Sequence, residues 1–243
     1  MFGKLLLVLS VISVAPAKIS LPPYIQKCSL SDPNFNQCYI DHANMAIPTI
    51  SKGDKKYHFP ILEPFKVDKI VIDTDSNLHV ELNNIEMHGF SETKILTADN
   101  DIKNNKFTHT YFIPNVDMTA DYELKGTIMV LSLEGKGTCA MTFKNVKSVY
   151  NVTYERVTKN DVEYMKRTTS SLDYDMEHAT VQFDNLFNGN KQLGDEMNKV
   201  ANENWKEIAG ELKPAVSSTI RQIVDAVFDQ FLEIVPIEEM FDP

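Results

Sequence analysis

The chain has 243 residues, of which 43% are apolar and 24% charged, and a formal net charge of −10. That apolar content supports a sizeable core, and nothing in the composition points to bulk disorder. No basic run or aromatic–basic interleaving is present, which argues against a nucleic-acid partner and against adhesion to anionic membranes.

Residues 1–17 read as a secretory signal peptide, with Lys4 as the positive start, residues 5–9 and 11–14 as the apolar run, and Ala15-Pro16-Ala17 as the cleavage site. The apolar run is too short to cross a bilayer, and no other stretch approaches the ~20 residues required. The expectation is a secreted, extracellular protein without stable membrane insertion, folded as one domain over residues 18–243. Cys28 and Cys38 bracket a short polar loop, and in an oxidising compartment they are expected to form a disulfide. Their spacing excludes a CxxC redox or zinc pair. Cys139 is left unpaired on the side of a strand pattern shared with Met141 and Phe143, so a buried free thiol is expected.

In chain order, residues 39–50 form a short helix pattern broken at Pro48, and 59–64 a proline-bounded connector. Strand patterns follow at 65–73, 78–87, 93–99 and 107–113, separated by polar turn clusters. Two long strands, 120–133 and 138–157, are expected to meet at a hairpin turn, Glu134-Gly135-Lys136-Gly137. Each changes phase partway; on the return strand, Cys139, Met141 and Phe143 give way to Val146, Tyr150, Val152 and Tyr154. A one-residue slip swaps faces, so a bulge or bend is expected there. Further strands fall at 162–174 and 179–183.

Residues 191–235 carry apolar side chains at steps of three and four, one stripe on a long α-helix. Charged and polar residues between them, including Arg221, Asp225 and Asp229, are assigned to an outer polar face. Gly210 and Pro214 predict a bend around residues 210–213. A helix of this length needs equally long cover, and a curved sheet with one apolar face supplies it. The predicted fold class is therefore α+β: a long, kinked C-terminal helix enclosed by a long, curved, mostly antiparallel sheet, an α/β-wrap.

Catalytic signatures are absent: there is no GxSxG elbow, P-loop or HExxH, so no enzyme, cofactor or metal site is predicted. The six histidines are scattered and read as surface or strand-end residues. Asp73, Asp75 and Asn77 imitate a calcium loop, but Leu78 stands in place of its glycine, so a polar turn is expected. Asn151-Val152-Thr153 is a glycosylation sequon; Val152 faces inward by parity, which turns Asn151 outward.

Residues 186–195 (Leu186-Phe187-Asn188-Gly189-Asn190-Lys191-Gln192-Leu193-Gly194-Asp195), with Asn198 and Asn202-Glu203-Asn204-Trp205, resemble the C-terminal signature of the insect takeout family. That family belongs with the juvenile-hormone-binding proteins. Leu21-Pro22-Pro23-Tyr24-Ile25, Pro60 with Leu62-Glu63-Pro64, and Gly135-Lys136-Gly137 match it too, in the right order over the mature chain. The resemblance implies a secreted carrier whose tunnel, between helix and sheet, holds a small apolar ligand such as a terpenoid hormone, fatty-acid-like lipid or quinone. It also implies roles in circadian output, feeding or behaviour. The expected lining is Met129, Leu131, Met141, Phe143, Trp205, Ile208, Leu212, Val216, Ile220, Ile223, Phe228 and Phe231. Two departures are noted: Cys139 lacks the partner that hormone carriers often supply, and Val200-Ala201 is small beside the signature turn. The alternative reading is an extracellular signalling protein that acts through its surface over a packed interior.

Overall fold

The computed structural model describes residues 19–74, 77–128 and 131–243; the predicted signal peptide, Met129 and Asp75 lie outside them. The elements are α1 (Phe35–Ile50), β1 (Phe65–Asp73), β2 (His79–His88), β3 (Lys94–Asp101), β4 (Lys106–Ile128), β5 (Leu131–Lys159), β6 (Val162–Asp175) and β7 (His178–Phe183). The helices α2 (Lys191–Glu203), α3 (Trp205–Leu232) and α4 (Ile237–Met240) follow. Helix α1 begins earlier than the sequence pattern suggests and runs through Pro48 instead of breaking there.

The strands form one antiparallel sheet in the order β1-β2-β4-β5-β6, with β3 added to the first half of β4 and β7 to the first half of β5. Strands β4 and β5 hold 23 and 29 residues. Straight, at about 3.3 Å per residue, they would extend roughly 75 and 95 Å, so they must curve to stay within one domain. Where the curve is made is visible in the ladder. Ile113 pairs with Val146 and Asn115 with Lys144, while Pro114 and Asn145 between them drop out. Pro114 has no N–H to give, and Asn145 takes a left-handed φ of 52°. Before this point the buried residues of β4 include Phe107 and His109; after it they are Val116, Met118, Ala120, Tyr122, Leu124 and Ile128. The phase change expected on the return strand is thus a bend at one cross-strand position, and it keeps one sheet face apolar around the curve.

The hairpin turn is not at residues 134–137. Lys125 pairs with Glu134, Leu124 with Gly135 and Tyr122 with Gly137, and the chain reverses between Ile128 and Leu131. The two glycines serve clearance instead. A Cβ on Gly135 would lie 2.8 Å from the Tyr122 hydroxyl, and one on Gly137 2.5 Å from the Asp184 carbonyl oxygen. Removing both Cβ atoms lets the chain at 184–186 cross β5 closely, and Leu186 bridges Gly135.

The long C-terminal helix is interrupted at Asn204, a break the sequence pattern does not show, and continues through Gly210 and Pro214, where the bend is expected. Asn204 leaves helical geometry (φ −111°, ψ 26°), and its side-chain amide donates to the Val200 carbonyl at 2.7 Å. Helix α3 approaches both edges of the sheet, β6 on one side and β1 on the other. That is the wrap: the two edges reach the helix while the middle strands curve behind it.

Asn198 and Asn202, four residues apart on α2, act as strand mimics. Asn198 accepts from the Phe183 N–H and donates to the Phe183 carbonyl, both at 2.9 Å. Asn202 does the same to Val181, both at 2.8 Å. Alternate residues of a strand point their backbone groups the same way, so two amides one helical turn apart close the free edge of β7.

Candidate functional site

Helix α3 presents two unlike faces. Asp225 is only 3% exposed, the most deeply buried of the α3 polar side chains. Its carboxylate accepts from the Tyr150 hydroxyl (2.7 Å), the Ser170 hydroxyl (2.8 Å) and the Arg221 guanidinium (2.8 Å). Arg167 stands 3.3 Å away and pairs with Asp229 through two hydrogen bonds, at 3.0 and 2.6 Å. Lys213 adds an ion pair to Asp173 further along β6. The ties from Asp225, Asp229, Arg221 and Lys213 of α3 to the sheet run to β5 or β6. The outer polar face expected at Arg221, Asp225 and Asp229 is therefore corrected: those residues attach the helix to the sheet. A charge this deeply buried requires partners that sit on a strand distant in sequence.

The apolar stripe lies around the helix from Asp225 and is not sealed. Trp205, Ile208, Leu212, Val216, Ile220 and Ile223 are half-buried and join none of the three fully packed clusters. Met141 and Phe143 border the cluster at the α2 end, built on Tyr122, Ile85 and Leu186. Phe228 and Phe231 border the cluster at the α1 end, built on Tyr150, Phe107 and Leu232. All four are likewise half-buried. Leu131 opens β5, at the hairpin. A close-packed interior would bury such side chains completely, as it does Tyr122 at 2% and Ile85 at 1%. Two open surface hollows, of about 320 Å³ above Ala120 and Cys139 and about 470 Å³ between Asn34 and Asn100, contain none of the stripe residues.

At the α1 end the inner face turns polar-aromatic. Phe228 stacks on Tyr150 (ring centroids 6.1 Å apart) and Phe231 on Phe59 (5.1 Å). Tyr39 of α1 lies flat on the His109 ring at 4.9 Å, and Tyr154 meets Phe107 edge-on at 5.5 Å. His109 bonds the Asn100 side chain at 2.8 Å and the Tyr111 hydroxyl at 3.2 Å. Burial pushes the imidazole down to about 4, so it is neutral at physiological pH. Burial also raises Tyr39 to about 12 and lifts Tyr111, Tyr150 and Tyr154 well above the ordinary phenol range. The sequence pattern leaves His109 among surface or strand-end histidines and, though it turns Tyr150 and Tyr154 to one side of the return strand, it assigns none of these tyrosines to the site. The available signal was parity: His109 alternates with Phe107 and Tyr111, as Tyr150 does with Val152 and Tyr154.

The remaining expectations concern single residues. Cys28 and Cys38 are bonded. His42 lies beside the two sulfurs, and since both are in a disulfide the group offers no thiolate to a metal. Cys139 is a buried free thiol that burial pushes up to about 11, away from nucleophilic use. Asn151 is exposed opposite buried Val152, with its side chain bonded to Thr108. His79 and His88 are exposed and paired with carboxylates, Asp73 for the first and Glu63 and Glu86 for the second. No helix among the described residues is long and apolar enough to cross a membrane.

Comparison with known proteins agrees with this geometry. The model of the haemolymph juvenile hormone binding protein family matches residues 5–242. The circadian clock-controlled protein daywake of Drosophila melanogaster is 19% identical over 237 residues, covering 93% of this chain and 90% of its own. Its counterpart in Drosophila yakuba is 22% identical over 243 residues. The crystal structure of Takeout 1 from Epiphyas postvittana superimposes with a TM-score of 0.79 at 25% identity, over 89% of this chain and 99% of that one. The asparagines, the glycine pair and the Glu63 element that suggested kinship turn out to be parts that hold this fold together, and the chain belongs to the haemolymph juvenile hormone binding protein family, in its takeout branch.

Proposed function

We propose that the protein is a secreted, non-enzymatic carrier that takes a small hydrophobic molecule, such as a terpenoid hormone, fatty-acid-like lipid or quinone, into the space between α3 and the sheet. The observation that carries this reading is the half-buried state of the apolar stripe from Trp205 to Ile223, outside every packed cluster. Apolar side chains left uncovered along a helix that is wrapped by a sheet gain by covering themselves with a guest, at about 0.8 kcal/mol per buried CH₂ of that guest. The family name and the Takeout 1 likeness support a binding role, and the daywake relatives support a link to circadian, feeding or behavioural regulation. The leader pattern and the disulfide support secretion, and the exposed sequon supports a glycan on Asn151.

Protein purified from its native source should release a lipid on solvent extraction, identified by one mass spectrum. The delipidated protein should then bind an apolar fluorescent probe that added lipid displaces. Absence of both lipid and probe binding would remove the carrier reading and leave the surface-acting alternative.

A further inference from the structure

The disulfide near the start of the chain has a third donor beside it. Cys38 and His42 are four residues apart on α1, so both side chains leave the same face of the helix, one turn from each other. Cys28 reaches that face from the segment before α1. His42 Nδ1 stands 3.4 Å from Cys28 Sγ, 3.6 Å from Cys38 Sγ and 3.2 Å from the Gln26 carbonyl oxygen. Among the described residues this is the one group of three His, Cys, Asp or Glu side chains whose ligand atoms all lie within 4.8 Å of one another. Spacing excludes a zinc pair from the two cysteines alone; folding supplies the imidazole.

The distances are those a tetrahedral metal imposes. Zinc at about 2.3 Å from a thiolate and about 2.0 Å from an imidazole nitrogen holds those two atoms roughly 3.5 Å apart. The same geometry sets the two sulfurs roughly 3.8 Å apart and needs both as thiolates, so a bonded pair is no site. Once the bond is broken, rotation about each Cα–Cβ bond parts the sulfurs over Cα atoms that are 6.0 Å apart. The backbone that carries Cys28 is held independently of the disulfide. Its carbonyl accepts from the Asp242 N–H at 3.0 Å, and the Leu30 N–H donates to the Asp242 carbonyl at 2.8 Å. The Ser29 hydroxyl donates to the backbone oxygen of Pro243 at 2.7 Å, and Lys27 pairs with Glu239. Cys28 is buried, whereas Cys38 and His42 are half-buried, so a metal ion has access from the α1 side.

We propose that Cys28, Cys38 and His42 form a redox-gated zinc site, closed while the disulfide stands and opened by its reduction. A dithiol supplies the two electrons. One of its thiolates attacks Cys38 Sγ, and Cys28 leaves as a thiolate and takes a proton. The second thiol then displaces Cys38, which takes the other proton as the reductant closes its own disulfide. Zinc replaces the two thiol protons, which are released, and is bound by two thiolates and by Nδ1 of a neutral imidazole whose proton sits on Nε2. A donor set of sulfur and imidazole suits zinc, not magnesium or calcium. The ion would join the segment before α1 to α1 as the disulfide does, so that fastening survives reduction.

The test uses the full chain, reduced with a dithiol, freed of it in the absence of air, and titrated with zinc against a chromophoric chelator. The reduced wild type should take up one equivalent and the oxidised protein none. Cobalt(II) in place of zinc should show thiolate-to-metal charge transfer and the visible bands of a tetrahedral site. His42→Asn, whose Nδ2 can keep the bond to the Gln26 carbonyl, should bind zinc at least about tenfold more weakly, the lower end of what losing even an outer partner of a metal ligand costs. Cys28→Ser/Cys38→Ser, which keeps Cys139, should bind none. The proposal is overturned if the reduced wild type takes up no zinc or if the double variant binds as tightly. It is also overturned if His42→Asn equals the wild type, the behaviour of a loose thiol pair in an opened chain.

Discussion

The two faces of α3 invert the usual assignment of inside and outside. Towards β6 the helix buries Asp225, with Arg221 and Asp229 beside it, and fixes itself through charge-assisted bonds to Tyr150, Arg167 and Ser170. Around the helix from them, Val216, Ile220 and Ile223 keep part of their surface accessible. The charge-assisted bonds of Asp225, Asp229 and Arg221 all point to the β5–β6 side and none of them to β1. A carrier needs this division. Under the proposed carrier function, directional bonds hold the wall in place, so the apolar side chains need not pack against anything and are free to take a guest. A helix held only by its apolar stripe would close on the sheet and fill the space.

The sharpest way to break the comparison is to remove its polar side. Asp225→Ala leaves the Tyr150 and Ser170 hydroxyls and the Arg221 guanidinium without their shared acceptor. Breaking a buried ion pair from one side typically costs about 3–5 kcal/mol. Urea denaturation should show a loss of that size, with a smaller one for Asp225→Asn, which keeps an acceptor oxygen. A loss below ~1 kcal/mol would mean that the helix is held by its apolar face after all.

The second attachment is at the α2 end, where Asn198 and Asn202 close the edge of β7. Asn198→Ala removes two hydrogen bonds and leaves the Phe183 N–H and carbonyl to find water or go unpaired. The expected cost is about 1–3 kcal/mol, read from the same denaturation curves. Because this contact joins α2 to β7 and not α3 to β6, its cost should add to that of Asp225→Asn within ~0.5 kcal/mol.

The apolar side is tested by filling it. Val216→Trp or Ile220→Trp should weaken binding of the apolar probe at least tenfold, a loss of about 1.4 kcal/mol. Stability should change less than the 1–3 kcal/mol usual for overpacking a closed core, because the space is already there. If the indole costs several kcal/mol of stability instead, the stripe is packed core. If the fold and the activity both survive it, the guest does not sit here.

How much of this was legible in the sequence follows from what a periodic pattern encodes. The outer strands, the change of phase at Asn145, the disulfide and the long C-terminal helix are properties of short stretches and are found close to where the pattern puts them, whereas the expected strands 107–113 and 120–133 are one strand, β4, that runs on through Pro114. The errors share one cause, a partner distant in the chain. Gly135 and Gly137 have the composition of a turn, yet they are needed because Asp184 and Leu186 cross above them. Asp225 falls among polar residues and reads as solvent-facing, because nothing local announces Tyr150, 75 residues away. His109 and Tyr39 become neighbours only when α1 folds onto β4. The family resemblance marked Asn198, Asn202 and Glu63, and all three prove to be fastenings of the scaffold.

Glu63 supplies the smallest effect, on the β1 side of the comparison. It stands just before β1 and accepts from the Gly89 N–H at 2.9 Å, from the Ser91 N–H and hydroxyl, and from His88. Burial alone would raise its carboxyl, but these hydrogen bonds outweigh that and hold it below its ordinary 4.5. A group with a depressed folded-state value contributes stability above its unfolded value, and that contribution is lost as pH falls through the folded one. The stability difference between the wild type and Glu63→Gln should therefore be constant from pH 8 to about 5 and shrink below ~4.5. Because the side chain is about a third exposed, the plateau should stay under ~1 kcal/mol. Its partners are Gly89, Ser91 and His88, none of them on α3, so this fastening positions the β1 edge from outside the site and Glu63→Gln should leave probe binding unchanged at neutral pH. A parallel loss of binding would show that the β1 edge, like the β6 edge, sets the width of the space.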